Sequence, residues 1–232
     1  MNPKILFEDS DILILDKPAG LTVNRSETAK GETVQDFLDQ KFRNNNDGGE
    51  FSLRSGIVHR LDKETSGILM VAKNEESFLK LKNQFKERET KKIYVALVHG
   101  QLKTSDGEIN APVGRLPWNR MRFGVLAGGR EAITKYKVLK NLKFNKEDLT
   151  LLELEPKTGR THQIRVHLKH IGHPIFSDPL YAGRRVSKGD RKILPRVFLH
   201  ARILEFDHPG TGKRMVFESG LPIELKNLLE SL

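Results

Sequence analysis

His59-Arg60-Leu61-Asp62-Lys63-Glu64-Thr65-Ser66-Gly67 is the stretch on which the reading of this chain turns. It lies between two apolar runs, Gly56-Ile57-Val58 and Ile68-Leu69-Met70-Val71-Ala72. Both runs are short, apolar and partly β-branched, which predicts buried strands. A connection between buried strands is usually a plain turn. This one carries His, Arg, Asp, Lys and Glu within six positions. Polar groups pinned by two core elements form a rigidly mounted site, an arrangement suited to catalysis. On these residues alone, a solvated hairpin tip remains an equal reading.

Outward from that stretch, strands dominate. Ile5-Leu6-Phe7, a turn over Glu8 to Asp11, and Ile12-Leu13-Ile14-Leu15 predict a hairpin ending at Lys17-Pro18. Thr33 is placed to cap a helix burying Val34, Phe37 and Leu38. The run from Asn44 to Gly49 reads as a polar loop. A helix is predicted from Glu75 to about Arg88, with Phe78, Leu81 and Phe85 on its inner face. Strands follow near Ile93–Val98, Ile133–Leu139 and Leu149–Leu154. Thr161 is placed to cap a short helix stopping at Gly172. Val197–Phe206 and Met215–Phe217 read as late strands, and Pro222 opens a closing helix. Strands joined by short turns predict an α+β fold with a mostly antiparallel sheet.

The chain has 232 residues and a net charge of +10. A balance this basic points to a polyanionic partner, nucleic acid being the commonest. The excess is concentrated. Ten Lys/Arg against two Asp lie between Arg160 and Arg202, a local charge of +8, together with five of the eight histidines. That segment is expected to form a phosphate-binding face. There is no cysteine, which excludes disulfides, thiolate chemistry and Cys-ligated metals. No run reaches membrane-spanning length and no signal-peptide core follows Met1, so an intracellular, cytoplasmic protein is expected.

The motifs, taken in order, resemble those of the RluA-type pseudouridine synthases. His59-Arg60-Leu61-Asp62 with Thr65-Ser66-Gly67 is similar to that family's signature. Asp16-Lys17-Pro18-Ala19-Gly20-Leu21 looks like its first motif, and Lys92-Ile93-Tyr94-Val95-Ala96-Leu97-Val98-His99-Gly100 like its tyrosine motif. The run from Thr158 to His167 looks like its arginine motif. Gly172-His173-Pro174-Ile175 with Asp178-Pro179-Leu180-Tyr181, then Leu199-His200-Ala201, complete the set. The resemblance covers nearly everything from Ile5 to Leu221. It implies a single catalytic domain over residues 1–232, with a central, largely antiparallel mixed sheet flanked by helices and a cleft across it. Many members carry an N-terminal S4 RNA-binding domain. Here the first motif begins almost at Met1, so that domain is expected to be absent and the catalytic domain to hold the RNA.

Pseudouridine formation breaks the N1–C1′ bond of a uridine in RNA, turns the uracil and rejoins it through C5. It requires a carboxylate near the sugar and a base for the C5 proton, and no metal, cofactor or energy source. The resemblance assigns the carboxylate to Asp62, which can attack C1′ as a nucleophile or take a C2′ proton. Tyr94 would stack on uracil and act as base. Arg165 is expected to pair with Asp62, since a guanidinium stays charged and keeps a carboxylate ionised. Arg60 would fill the space left by the flipped uridine. His59, Arg160 and Ile164 are expected to line the substrate, Arg160 through phosphate or as support for its loop.

Other features invite bland readings. The spacing of His162, His167, His170 and His173 suggests metal ligation, but no flanking carboxylates complete a set, so no metal is expected. Trp118 lies among Arg115, Arg120 and Arg122, a setting suited to stacking on a base. Lys17-Pro18-Ala19-Gly20 reads as a structural turn. The partner is expected to be tRNA or rRNA, with no membrane and no small-molecule cofactor, and the protein a monomer. A non-catalytic RNA-binding or chaperone protein on the same fold is the alternative. A hydrolase of the glycosidase kind would need a second facing carboxylate, and none is evident.

Overall fold

The computed structural model describes residues 2–26, 31–42, 48–144 and 147–232, with the Arg120 side chain left aside. The predicted loop at 44–47 falls outside these. In chain order the elements are β1 (Lys4–Glu8), β2 (Ile12–Lys17), α1 (Val34–Phe42), α2 (Glu50–Leu53), β3 (Ser66–Ala72), α3 (Glu75–Lys86), β4 (Lys91–His99), β5 (Asp106–Asn110), β6 (Val113–Leu116), β7 (Asn119–Val125), β8 (Ile133–Phe144), β9 (Glu147–Pro156), α4 (Gln163–His170), α5 (Arg184–Asp190), β10 (Leu199–Asp207), β11 (Arg214–Glu218) and α6 (Ile223–Glu230). The fold is α+β, with mostly antiparallel strands and flanking helices. Among the described residues no helix is long and apolar enough to cross a membrane.

Two compact units emerge, one of residues Met1–Lys91 with Ala201–Gly220, the other of Lys92–His200 with Leu221–Leu232. In the first, the strands run β1-β2-β3-β10, with β11 on β10. The β1–β2 turn has a specific cause. The Asp9 carboxylate accepts the amides of Asp11 and Ile12, each at 2.8 Å, the local bonding that makes Asp a turn former. In β3 every residue is buried, and Ile12 to Leu15 of β2 are wholly enclosed. Helix α3 starts where Asn74 accepts the Ser77 amide, with Glu75 and Glu76 in its positive first turn. Its buried Phe78 and Leu81 join Ile12, Ile14, Ile68 and Met70 in one core.

In this unit the structure corrects one expected strand. Gly56-Ile57-Val58 forms only an isolated bridge, Ile57 opposite Val71. Ser55 and Gly56 have φ of 49° and 73°, so the chain cannot run extended through them. The Gly56 position also needs glycine, because a Cβ there would lie 2.0 Å from the Ala72 carbonyl oxygen.

The second unit has the order β4-β9-β8-β5, every pair antiparallel, and a separate β6–β7 hairpin. Its core gathers Val95, Leu97, Leu152, Leu154, Leu168 and Phe198 with others from these elements. Strand β8 runs past the predicted Leu139 end to Phe144, through a bulge between Val138 and Lys140. Helix α4 stops at Gly172 as expected, but its N-cap is His162, not Thr161. His162 sits in the left-handed region (φ 57°) and makes no capping bond. The side chain of Gln163 does the local bonding instead, accepting the Arg160 amide at 3.0 Å.

Candidate active site

In the first unit, the stretch from His59 to Gly67 is fixed by its backbone. Thr65 donates its amide to the Asp62 carbonyl at 3.1 Å, closing a tight turn. Gly20 donates to the Lys63 carbonyl at 2.8 Å. The Lys17 ammonium reaches the same carbonyl at 3.2 Å, and those of Pro18 and Leu21 at 2.9 Å each. Lys17 is fully buried. An ammonium has three donors, and three carbonyls meet them, which offsets the cost of burying it. The Lys17–Gly20 turn and the Asp62 loop are thereby one unit of structure.

The side chains of the loop alternate in environment. Leu61, Thr65 and Ser66 are buried, Arg60 and Lys63 are exposed, and Asp62 is half-buried. Gly67 closes the loop at φ 113°, where a Cβ would meet the Ala201 carbonyl oxygen at 2.1 Å. The Gly in the motif is therefore required by backbone packing. His59 turns inward. Its Nε2 accepts the Met70 amide of β3 at 2.9 Å, so its proton sits on Nδ1, and its ring stacks on Phe85 at 4.7 Å. At that nitrogen it braces the loop.

In the second unit, Tyr94 lies on β4 opposite Leu154 and packs in part against the core. Two residues earlier, partial burial pushes Lys92 down to about 8; nearby Lys157 adds to this and Glu155 opposes it. Arg165 projects from α4 into a buried clamp. Its Nε and Nη2 donate to the two oxygens of Asp178 at 2.7 and 3.0 Å, and its guanidinium lies over the Tyr181 ring at 5.1 Å. Asp178 also accepts the amides of Leu180 and Tyr181, at 2.9 and 3.2 Å. The sequence reading gave Asp178 no role. The signal available was an Asp directly before Pro179, a turn former whose side chain is free to accept.

Around this clamp a second chain of bonds runs from the β6–β7 hairpin. The Phe123 amide donates to the Tyr181 hydroxyl at 3.1 Å, and that hydroxyl lies 2.9 Å from His162 Nδ1. The two groups are hydrogen-bonded, with the direction set by the His162 tautomer. The bond holds His162 in its left-handed conformation. Gln163, buried, links Thr158, Ile133 and Thr134. Arg160 donates its Nε to the Glu131 carbonyl at 3.0 Å. Ile164 is buried in the apolar core of this unit. Trp118 is 76% exposed at the β6–β7 turn.

The histidine spacing that suggested a metal has another use. Fully buried His167 bonds Thr134 Oγ1 at 3.0 Å and the Ala111 carbonyl at 2.9 Å. Burial lowers its pKa; the Ala111 bond opposes the shift and His170 adds to it. His173 bonds the His99 carbonyl through Nδ1 at 2.9 Å. Among the described residues, one group brings ligand-type atoms together: Asp9, Asp11 and His208. There His208 Nδ1 accepts the amides of Gly210 and Thr211, and its Nε2 meets Asp9 at 2.8 Å. Both ring nitrogens are thus committed to holding the β10–β11 turn against the β1–β2 turn.

Residues 11–170 match the family model described as RNA pseudouridylate synthase. The chain belongs to this family, which is a family of isomerases. It is 39% identical over 234 residues to an uncharacterized RNA pseudouridine synthase of Bacillus subtilis, YlyB, covering all of this chain and 73% of that one. It is 43% identical over 237 residues to the ribosomal large subunit pseudouridine synthase D of Pseudomonas aeruginosa, covering 99% of this chain and 71% of that one. Among solved structures it resembles human RNA pseudouridylate synthase domain containing 1, with a TM-score of 0.75, 26% identity, and coverage of 95% of this chain and 84% of that one.

Proposed function

We propose that the protein converts uridine to pseudouridine in RNA, with large-subunit ribosomal RNA as the first substrate to test and tRNA as the second. Asp62 acts at the sugar, as nucleophile on C1′ or as acceptor of a C2′ proton. Either route breaks N1–C1′, forms C5–C1′ and releases the C5 proton to solvent. Tyr94 stacks on the uracil and takes that proton. Arg165, fixed by Asp178, supplies a cation to the reaction. Arg60 fills the space that a flipped uridine leaves. Arg160 supports the arginine loop, and His59 braces the Asp62 loop from behind. The reaction draws on no cofactor, and we assign it to the cytoplasm.

One observation carries the reading. Within the matched stretch, a half-buried carboxylate sits on a loop whose backbone is held by a fully enclosed ammonium, which fixes the position of the acid. The relatives named for the ribosomal large subunit support the choice of RNA. The test is tritium release from RNA transcribed with C5-labelled uridine. The wild type releases tritium; Asp62→Asn releases none while keeping RNA affinity within several-fold. Normal release by Asp62→Asn would end the assignment, and tight binding without release by the wild type would favour a non-catalytic RNA binder.

A further inference from the structure

The basic segment from Arg160 to Arg202 is not one uniform face. Half of its ten cations are tied into the fold. Arg160 serves the Glu131 carbonyl, Arg165 serves Asp178, and Arg191 donates to the carbonyls of Ser177 and Pro195. Arg196 pairs with Glu224 at 3.0 Å, and Arg202 with Glu218 at 2.7 Å. Of the other five, Lys169 lies apart at the end of α4 and four lie together. Arg184, Arg185, Lys188 and Lys192 are all exposed, and among the described residues none has an ion pair or a side-chain hydrogen bond. They fall within nine residues, on α5 and the turn after it.

The one acid of that stretch faces the other way. Asp190 is buried, accepting the Ser177 amide at 2.9 Å and meeting His99 Nε2 at 2.9 Å. His99 in turn stacks on Phe176 at 5.5 Å. Buried Ser187 and Asp190 thus root the short helix, while its cations point to solvent. Arg184 and Lys188 are one turn apart, roughly 5 Å along the axis. Like charges held this close repel one another, and among the described residues no acid pairs with them. A bound polyanion relieves the repulsion.

We propose that α5 and the following turn form a docking surface for the phosphodiester backbone of RNA, with Arg184, Arg185, Lys188 and Lys192 as sequence-independent contacts and Asp190–His99 as the brace that presents them. The inference rests on the reading of the protein as an RNA-modifying enzyme and adds where the RNA lies outside the target uridine. Contacts of this type add affinity without choosing sequence.

The experiment replaces all four cations by Gln and measures binding of a labelled RNA stem-loop, with uridine in its loop, over a salt series. Each lost phosphate contact removes roughly 0.7–0.9 from the slope of log K against log salt, so a fall of about 3 is expected. Binding at physiological salt weakens about tenfold or more, KM rises, and kcat at saturating RNA is unchanged. An unchanged slope overturns the proposal. So does retention of the four-cation variant's RNA affinity with loss of its binding to phosphatidylglycerol vesicles, which would make the surface a membrane contact.

Asp190→Asn supplies an opposite-sign check. It raises the net charge by one, so tighter RNA binding by this variant would show that charge alone matters and overturn the brace; the account expects weaker binding. The four-Gln variant decides the docking claim whatever Asp190→Asn does to folding. Wild-type tritium release is read in parallel. Its absence would remove the isomerase reading and leave the salt slopes still reporting on α5, whereas an active wild type with unchanged slopes would remove only the docking surface.

Discussion

The loop around Asp62 and the helix carrying Arg165 hold their charged groups by opposite means. The loop is fastened through backbone carbonyls, by Lys17, Gly20 and Thr65. Arg165 is fastened through its own guanidinium, by Asp178. In the first case the functional group and its mount are different atoms. In the second they share one ion pair. A substitution at Asp62 therefore leaves these backbone bonds in place, while a change at Arg165 or Asp178 removes the buried ion pair itself.

The largest effect is expected at that shared bond. Asp178→Ala leaves a buried guanidinium without its carboxylate, which costs about 3–5 kcal/mol of stability. It should also lower kcat about a hundredfold or more, because the guanidinium loses its orientation. Denaturant titration and tritium release read the two losses. Asp62→Asn in the same titration should cost less than Asp178→Ala, because the bonds from Lys17, Gly20 and Thr65 that fix its loop end on backbone atoms and survive the change. Equal destabilisation by the two variants would erase the contrast.

Lys17→Met comes next. It removes three donors from three carbonyls while keeping an apolar stem of similar length. A loss of about 1–3 kcal/mol follows from the unmet carbonyls. Because the loop recoils from Lys17, kcat should fall about tenfold with KM little changed. A variant with full kcat would show that Gly20 and Thr65 suffice to hold Asp62.

How much of this was legible beforehand depends on where each bond originates. The β1–β2 hairpin, α3 and the late strands follow local patterns of apolar periodicity and capping, and the sequence reading found them. The Gly56–Val58 segment was misread because its apolar composition suits a strand while Ser55 and Gly56 take positive φ, a property of the backbone that composition does not carry. Asp62, Tyr94, Arg165 and Arg60 were named through the resemblance of the motifs, and the physical signs beside them were weaker. The roles of Lys17 and Asp178 were hidden for one reason. Their partners, the Lys63 carbonyl and Arg165, lie 46 and 13 residues away, and only the fold brings them together.

Smaller effects sharpen the picture of the loop. Arg60 is exposed beside Asp62, so it is free to act on RNA without a structural cost. Arg60→Ala should lose several-fold more kcat/KM on a structured stem-loop than on a short single strand with the same uridine, since only the stem-loop must be unstacked, at a cost of a few kcal/mol. Arg60→Lys should recover only part, as an ammonium lacks the flat stacking surface. Equal losses on both RNAs would make Arg60 a support for Asp62 instead.

The least effect is expected at Lys92, in the other unit. Its folded pKa lies at about 8, against 10.5 for an ordinary lysine. Between those values the unfolded chain binds more protons, so stability rises with pH there, and the cost of burying the charge is fully present below 8. Lys92→Met should gain about 1–2 kcal/mol at pH 7, less than the full shift implies because the site is partly solvated. It should also flatten the rise between pH 8 and 10. A wild-type stability that falls over that window would show that Lys92 keeps its charge at no cost.

Mapping pseudouridine along the large-subunit ribosomal RNA of cells with and without the protein asks directly whether this chain makes pseudouridine. One or more sites should vanish with the protein, return with the wild-type chain and stay absent with Asp62→Ala. Identical maps in all three cells for that RNA and for tRNA, or restoration by Asp62→Ala, would contradict the assignment.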